Sequence, residues 1–371
     1  MANRCVLFLC AGLSALNLAS TNKIEVFKTA PASSRVTICF AGDNLIHKPV
    51  ITAGYQDDGT RDYTYMYDEI DDYIKKFDVA ILNQETPLIQ DESKYSGYPM
   101  FGSPIEIGEA AIGAGFDVIA QATNHTIDQG IKGVEDSYCF WMQHDIPVLG
   151  IHMNDMESDI WYLEEKGIRI ALVNYTYGLN GLKLPSGKEY MVDTFDNKDE
   201  IAETLEEAEN TADITIVIAH WGNEYVYEPT AWQHDMAQFL IDSGADVIFG
   251  GHPHVIEPVE MLGDVPVFWS VGNFISGQSE VPRMLGMLAE VEIEKDSKGN
   301  VSVVDVNATP TVTHISTYSE QFKVYKLEDY NEDLCSQHRL RRTRGSQMSV
   351  DSLWKLWQDI VKQEEEFNEA A

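Results

Sequence analysis

Two histidines, one residue apart, stand where an apolar run gives way to a pair of glycines. The run Val247–Phe249 is typical of a buried strand, and Gly250 and Gly251 allow the backbone to turn sharply behind it. His252 and His254 are therefore expected at the carboxyl end of a strand, where open α/β sheets bind their ligands. Taken alone, a His-x-His sequence is more typical of a polar turn with two solvated imidazoles.

Other predicted strands also end in a side chain that can bind a metal ion. Each of these residues, taken singly, could instead be a turn, cap or hydrogen-bonded core residue. All of them, however, are expected at the same edge of the sheets. Their shared placement favours a metal site. Carboxylate, amide oxygen and imidazole together suit Zn, Mn, Fe or a similar divalent ion. Besides His252 and His254, the predicted ligands are Asp43, Glu85, Asn124 and His220.

The predicted ligands indicate a hydrolytic centre. A carboxylate can bridge two cations and neutralise part of their mutual repulsion. Two ions about 3.5–4 Å apart generate hydroxide and hold both the attacking and the leaving oxygen of a displacement. We therefore expect one or two divalent ions and a displacement by metal-generated hydroxide.

The elements that must position these residues alternate between strand and helix along the first two thirds of the chain, and hairpins follow. This order predicts an α/β domain with mixed sheets. The pattern predicts one helix over 62–77, a helix that opens at Ser103–Pro104, and helices capped by Asp128 and Thr230.

The charge of the chain excludes two classes of partner. The formal net charge is -34, from 60 acidic and 26 basic residues. Such a surface repels nucleic acid and anionic lipid, so neither is an expected partner. An anionic substrate at a metal site remains compatible with this charge, because screening over about 8 Å hides distant charges while the cations lie beside the ligand.

The two ends are predicted to lie outside the main domain, which is expected over 35–315. Residues 1–22 include the apolar run Cys5–Leu16, which resembles a signal peptide and is short for a membrane span. We expect export, with membrane association only through this end; a disordered start on a cytoplasmic protein is the alternative. The extension over 316–371 contains an amphipathic helix at Val350–Lys362, expected to dock on the domain surface.

Six ordered motifs resemble the poly-γ-glutamate capsule synthesis protein (CapA) family of bacteria, which is similar to the calcineurin-like metallophosphoesterases. The resemblance covers about residues 35–315. It implies a four-layer αββα sandwich of two mixed β-sheets flanked by helices, with metals at the strand ends. The implied partner is an anionic polymer, within a polymer-synthesis complex. The motifs are Ala41–Asp43, Asn83–Thr86, Ala122–His125, Ala219–Gly222, Gly250–His254 and Val271–Phe274.

The resemblance also implies a role for each site residue. His125 would be the general acid that protonates the leaving group, oriented by Asp128. Metal-bound hydroxide would attack a phosphoester, or an amide of a γ-glutamyl or cell-wall polymer. The implied ligands are Asp43 and His254 for one ion, Glu85 as the bridging carboxylate, and Asn124, His220 and His252 for the second ion.

Departures from the metallophosphoesterase pattern leave several alternatives open. Leu45 stands where the first motif usually has histidine, and His47 either replaces that ligand or faces outward from a loop. The second motif carries Glu85 in place of the usual aspartate. Asn273 either binds substrate or shapes its turn. Arg283 either holds a substrate carboxylate or phosphate or is a plain surface arginine.

The same departures allow a second function. A non-catalytic, metal-containing subunit would bind or transfer an anionic polymer in capsule synthesis or export. The loop Tyr95–Phe101, rich in aromatic residues, would line the polymer groove. Polymer binding that survives the loss of His125, without cleavage, would favour this function.

Overall fold

A computed structural model describes residues 33–318, 320–342 and 346–361. Two mixed β-sheets pack face to face, and helices cover both outer faces. This arrangement confirms the predicted αββα sandwich. The predicted signal peptide lies outside the described residues. None of the helices within the described ranges combines the length and hydropathy that a membrane span needs.

The described residues form sixteen strands, fourteen in the two mixed sheets and two in a small separate parallel pair. In chain order they are β1 (Ser34–Leu45), β2 (Val79–Asn83), β3 (Leu88–Ile89), β4 (Ser103–Pro104), β5 (Val118–Ala120), β6 (Val148–Leu149), β7 (Trp161–Glu165), β8 (Ile168–Thr176), β9 (Ile214–His220), β10 (Val247–Gly251), β11 (Val259–Leu262), β12 (Val265–Phe268), β13 (Asn273–Ser276), β14 (Leu285–Lys295), β15 (Val301–Ile315) and β16 (Phe322–Lys326).

Eight α-helices connect or cover these strands in the described part of the chain. They are α1 (Lys48–Ala53), α2 (Asp71–Ile74), α3 (Glu106–Ala114), α4 (Gly130–Gln143), α5 (Lys198–Thr211), α6 (Ala231–Asp242), α7 (Glu332–Gln337) and α8 (Val350–Ile360).

The order of strands in each sheet brings several carboxyl ends to one edge. The large sheet runs β16-β15-β14-β1-β2-β5-β6, with β13 also paired to β1, and the small sheet runs β11-β12-β10-β9-β8-β7. Strands β1, β2, β5 and β6 are mutually parallel, and so are β8, β9 and β10. Parallel strands end at the same edge, so the loops that follow them are neighbours.

Apolar side chains hold the four layers together. Phe40 of β1 stacks on Phe249 of β10 between the sheets, with 5.3 Å between ring centroids. On the outer face of the small sheet, Leu205 of α5 and Leu240 of α6 are buried in a separate core. The sheets are therefore fixed against each other directly beneath the loops at their carboxyl edge.

The predicted helix over 62–77 is wrong. The segment contains a 3₁₀ turn at Thr64–Met66 and the single turn of α2. The hydroxyl of Tyr63 donates to the carbonyl of Ile51, and the hydroxyl of Tyr67 donates to Asn44 Oδ1. Both tyrosines are buried by these contacts, so tertiary packing overrides the helical spacing of the sequence.

Two predicted helix caps are also wrong. Ser103–Pro104 forms the short strand β4, and the Ser103 hydroxyl lies 2.7 Å from that of Thr86, so α3 begins only after it. Asp128 does not cap α4, because its Oδ2 accepts from the backbone N–H of Phe101 and lies 2.7 Å from Nδ1 of His125. The predicted cap of α6 is confirmed, since Thr230 Oγ1 accepts from the N–H of Gln233.

Described elements after residue 315 contact the main core. Strand β16 pairs with β15 at the edge of the large sheet. Leu353 and Trp357 of α8 are buried in the main core, so this helix docks on the domain as expected. The domain boundaries at 35, 315 and 316 stay a prediction.

Glu257 is a buried carboxyl group that should make stability depend on pH. Burial raises its pKa from 4.5 to about 8, Gln233 donates to Oε2, and Oε1 has no hydrogen-bond partner in the described structure. The folded protein holds this proton more tightly than the unfolded chain. Glu257 therefore lowers the free energy of unfolding by about 1.4 kcal/mol per pH unit as pH rises from roughly 4.5 to 8.

Glu257→Gln is expected to remove the part of the pH dependence of the unfolding free energy that Glu257 causes. The variant should therefore exceed the wild type in stability most at pH 8. Urea unfolding of both proteins at pH 5, 6.5 and 8 measures the difference. Glu203→Gln, at an exposed position of α5, is the matched control and should follow the wild type. A Glu257→Gln protein whose stability falls with pH as steeply as that of the wild type would contradict the assignment.

Candidate metal centre

The carboxyl edge of the two sheets gathers all the predicted metal ligands. Asp43 lies in β1 opposite Asn273 of β13, and His220 ends β9 opposite Gly251 of β10. Each ligand side chain is removed from water, because none of these residues is more than 2% exposed. The gathered residues are Asp43, Glu85, Asn124, His220, His252 and His254.

Glu85 is the carboxylate that most clearly lacks a partner. Both of its oxygens are buried without a hydrogen-bond donor in the described residues. Oε1 lies 3.8 Å from Nε2 of His220 and 3.7 Å from Nε2 of His254. Burial raises the pKa of Glu85 well above its usual value, and the carboxylate of Asp43 adds to the shift. An unpaired buried carboxylate is costly, and a cation among these atoms would offset that cost.

Two of the ligand histidines, His220 and His252, are in the form that binds metals. Burial lowers the pKa of His220 and of His252 well below the usual range, so both imidazoles are neutral and keep a lone pair for a cation. Nδ1 of His252 has no hydrogen-bond partner within the described structure. One ligand atom from each of Glu85, His252 and His254 lies within 4.8 Å of the others. These residues fit a divalent ion of the Zn or Mn type.

The loop that carries the last two histidines is strained. His252 has φ 98° and His254 has φ 59°, in the left-handed region that L-residues with a Cβ rarely adopt. A Cβ on Gly251 would lie 2.9 Å from Oδ1 of Asp43, so glycine allows the loop to approach the cluster. Such strain persists where the surroundings hold a functional geometry.

Hydrogen bonds between the ligands fix their orientation. Nδ1 of His254 lies 2.9 Å from Oδ2 of Asp43, and Nε2 of His220 lies 2.9 Å from Oδ1 of Asn124. The backbone N–H of His252 lies 3.3 Å from each carboxylate oxygen of Asp43. These contacts hold the ligand side chains in one arrangement.

Asn83 and Tyr177 belong to the centre but were not predicted as site residues. The Nδ2 group of Asn83 donates to Oδ1 of Asp43 at 2.7 Å, and its Oδ1 is buried without a partner in the described chain. Its place at the end of β2 is a signal that would have identified it. The ring of Tyr177 lies 4.6 Å from that of His252, and nothing in the sequence marks that contact.

His125 and Asp128 form a buried pair beside the ligands. Nδ1 of His125 lies 2.7 Å from Oδ2 of Asp128, and the N–H of Phe101 donates to the same oxygen at 2.7 Å. The rings of Phe101 and His125 pack edge to face, with 4.6 Å between centroids. Because Asp128 engages Nδ1, Nε2 is the nitrogen that remains for a substrate.

A cavity of about 290 Å³ opens next to His125 and His254. Arg283 is the one arginine or lysine among the described residues that line it. Its guanidinium carbon lies 3.6 Å from the ring centroid of Tyr225, and its Nη2 lies 3.1 Å from the carboxylate of the exposed Glu280. Arg283 is therefore placed to meet an anionic group, and the predicted substrate contact stays a prediction.

His47 lines the same cavity, whereas Asn273 lies behind it and holds the backbone of two lining residues, His254 and Arg283. The Nδ2 group of Asn273 donates to the carbonyls of His254 and Arg283, which favours the turn-shaping alternative; its predicted substrate contact stays a prediction. His47 lines the cavity and is partly buried, and this burial lowers its pKa to about 4. Its ring packs against Phe101 on the cavity wall, and its role as a ligand stays a prediction. The ligand group around Glu85 does not include it.

Comparison with known proteins places the chain in a family. A family model described as "Bacterial capsule synthesis protein PGA_cap" matches residues 37–278. The chain belongs to this PGA_cap family. The PGA_cap region contains every predicted ligand, His125, Asp128 and Asn273, whereas Arg283 follows it.

Two relatives of this PGA_cap protein come from bacilli. The "PGA biosynthesis protein CapA" of Bacillus subtilis (strain 168) is 30% identical over 200 residues, which cover 53% of this chain and 52% of that protein. The chain thus spans about half the length of this relative. The "Capsule biosynthesis protein CapA" of Bacillus anthracis is 27% identical over 286 residues, covering 74% of this chain and 68% of that protein.

Solved structures also show some likeness. A putative 5'-nucleotidase from Staphylococcus aureus, in complex with alpha-ketoglutarate, aligns with a TM-score of 0.48 at 16% identity and covers 75% of this chain and 54% of that chain. The NAD nucleotidase NadN of Haemophilus influenzae aligns with a TM-score of 0.45 at 12% identity, covering 88% of this chain and 67% of that chain.

Proposed function

We propose that this PGA_cap protein is a metal-dependent hydrolase that cleaves a phosphoester or an amide of a γ-glutamyl or cell-wall polymer. The single observation that carries the proposal is the Glu85 carboxylate, which is buried without hydrogen-bond donors beside neutral histidines. The capsule context is taken from the names of its relatives.

The ligand residues would hold one or two divalent ions of the Zn, Mn or Fe type, with Glu85 between them. When bound, such ions lower the pKa of water to supply a nucleophile and polarise the group under attack. Asp43 and His254 would serve one ion. The second would be held by Asn124, His220 and His252. Asn83 would help to orient the ligands of the first ion, because its amide donates a hydrogen bond to Asp43.

His125 would donate a proton from Nε2 to the leaving atom. Asp128 holds the proton on Nδ1, fixes the orientation of the ring and stabilises the imidazolium before transfer. Phe101 covers the pair and excludes water from one side of it. Positioned acids of this kind contribute about 10²–10⁴-fold to a rate.

A substrate panel tests the proposed activity. Purified protein is loaded with Mn²⁺ or Zn²⁺ and assayed on phosphomonoesters, phosphodiesters, γ-glutamyl anilides and poly-γ-glutamate. We expect metal-dependent turnover of at least one class, abolished by a chelator and restored by the metal. A metal-replete protein that cleaves nothing across the panel would overturn the proposal.

Arg283→Gln is expected to weaken binding of an anionic substrate. A hydrogen bond to a charged group contributes about 1.5–3 kcal/mol, so KM should rise roughly 10- to 100-fold while metal content stays unchanged. Arg342→Gln is the matched control, because Arg342 also stacks on a tyrosine but far along the chain from the cavity. An unchanged KM in Arg283→Gln would remove Arg283 from the substrate site.

A second candidate function is polymer binding without cleavage, as part of a polymer-synthesis complex. The observation that favours it is Tyr98, which is 77% exposed at the rim of the cavity that contains Arg283. An exposed aromatic beside a single cation suits a chain of repeated anionic units. Retention on immobilised poly-γ-glutamate by a His125→Ala protein, with no cleavage by the wild type, would favour this function.

We also propose that the protein is exported. The support is the apolar run Cys5–Leu16. Expression of the full chain in a bacterial host, followed by fractionation, should place it outside the cytoplasm. A variant lacking residues 1–22 should stay inside, and equal retention of both proteins in the cytoplasm would contradict export.

A further inference from the structure

We propose a second divalent-cation site, built around His152 and separate from the centre at Glu85. It would bind one ion of the Mn²⁺ or Zn²⁺ type through His152, Asp159 and Asp193, with Glu157 close by. The proposal is independent of the proposed hydrolase activity. Its support comes from the geometry of the cluster, its charge and its place in the fold.

The geometry of the cluster is that of a chelating carboxylate facing an imidazole. Nε2 of His152 lies 2.9 Å from both carboxylate oxygens of Asp193 and 3.7 Å from Oδ1 of Asp159. One ligand atom from each of the three residues lies within 4.8 Å of the others. An N–H group makes its best hydrogen bond when it points at one oxygen. Here both oxygens of Asp193 are equally close to the ring nitrogen, which is how a carboxylate is oriented when it binds a cation through both oxygens.

The charge of the cluster is also unbalanced. Carboxylates face both ring nitrogens of His152, since Oε2 of Glu157 lies 4.0 Å from Nδ1. The further charged groups that act on Asp159 are acidic, namely Glu200 and Glu207. Even a protonated His152 leaves the cluster with excess negative charge. A divalent cation balances two carboxylates, and imidazole with carboxylate is a donor set that Mn²⁺ and Zn²⁺ accept.

The cluster is deep enough to hold an ion and open enough to admit one. Asp193 is largely buried, and burial raises its pKa to about 6, whereas the side chain of Asp159 is 41% exposed. A cavity of about 210 Å³ is lined by His152, Asp159 and Trp161. Among the described residues, the buried hydroxyl of Tyr175 has no hydrogen-bond partner of normal geometry, and the carboxylates of Asp193 and Asp159 add to the rise that burial causes in its pKa.

The position of the site explains what an ion would do there. His152 follows β6 at the edge of the large sheet, and Asp193 follows β8 of the small sheet. The N–H of Asp193 donates to the carbonyl of Gly150, and its carbonyl accepts from Thr176, so the segment already bridges the two sheets. An ion here would cross-link the loops after β6 and β8 and stabilise the folded state.

Manganese binding measured by dialysis and electron paramagnetic resonance tests the proposal. Asp159→Asn removes one charge at the exposed ligand and leaves the His152–Asp193 pair in place, so the variant should fold. We expect the wild type to retain one more Mn²⁺ per chain than Asp159→Asn. The Glu85→Gln/His252→Ala protein lacks the first centre and should still bind one Mn²⁺ per chain. Adding His152→Ala to this protein should abolish that binding.

The thermal melt gives a readout independent of activity. Mn²⁺ should raise the Tm of the Glu85→Gln/His252→Ala protein by several degrees and should have no such effect once Asp159→Asn is added. Equal Mn²⁺ retention by wild type and Asp159→Asn, with no Tm response in the double variant, would overturn the site and leave a plain His152–Asp193 ion pair. A failure of the first centre to bind metal would not produce this outcome, because the Tm is measured in a protein that already lacks that centre.

Discussion

Glu85→Gln is expected to empty the metal centre while leaving the protein folded. The substitution keeps the volume of the side chain but removes the charge that would hold and bridge two cations. Changes even in residues behind metal ligands cost about 10- to 100-fold in affinity, so loss of the bridging carboxylate should cost at least about 100-fold. Equilibrium dialysis against Mn²⁺ or Zn²⁺, followed by elemental analysis, measures the change.

Glu257→Gln provides the matched control for this experiment. Glu257 is also a buried glutamate with an oxygen that lacks a hydrogen-bond donor in the described structure, but it is not in the ligand group. Its variant should bind metal with wild-type affinity. If Glu85→Gln bound metal as tightly as Glu257→Gln does, the unpaired carboxylate would not be a metal ligand.

His125→Ala is expected to lower turnover by roughly 10²-fold or more without loss of metal. The reason is chemical, since an acid is needed most where the leaving atom is strongly basic. The loss should therefore be large for alkyl phosphoesters and alkyl amides and small for nitrophenyl esters and nitroanilides. Rates across such a leaving-group series, measured at equal metal content, separate proton donation from a structural effect.

His144→Ala serves as the control for this series. His144 is exposed at the end of α4 and its Nδ1 contacts only its own helix, at the carbonyl of Phe140. Its variant should match the wild type for every substrate. A His125→Ala protein that loses the same factor for good and poor leaving groups would show that His125 does not donate the proton.

Strand ends are the part of the site that a sequence can predict. The apolar runs before Asp43, His220 and His252 indicate buried strands, and parallel strands share an edge. That rule brings His220 and His252 together at the edge of the small sheet, whereas their meeting with Asp43 also depends on how the two sheets pack. The cap at Thr230 could be predicted for a similar reason, because its hydrogen bond is made within one helical turn.

Contacts between distant loops could not be predicted in this way. Tyr225 stacks on Arg283 in the wall of the cavity, and Tyr177 contacts His252 from the loop after β8. Such contacts depend on loop paths that no periodicity encodes. The same holds for the pair of His152 and Asp193, whose residues follow strands of different sheets.

The failed predictions share one cause. Asp128 has the residue type and position of a helix cap, yet its carboxylate is hydrogen-bonded to the backbone N–H of Phe101 and to the ring of His125. The tyrosines of the segment 62–77 have helical spacing, yet Tyr63 and Tyr67 are held by partners outside that segment. In each case a tertiary hydrogen bond replaces the local one that the pattern suggests.

The most direct test of the metal centre is anomalous diffraction from crystals of the metal-loaded protein, collected at the absorption edge of the bound metal. The proposed centre predicts one or two peaks within about 2.0–2.3 Å of a Glu85 oxygen and of an imidazole nitrogen of His220, His252 or His254. A metal-loaded crystal without a peak at Glu85 would contradict it.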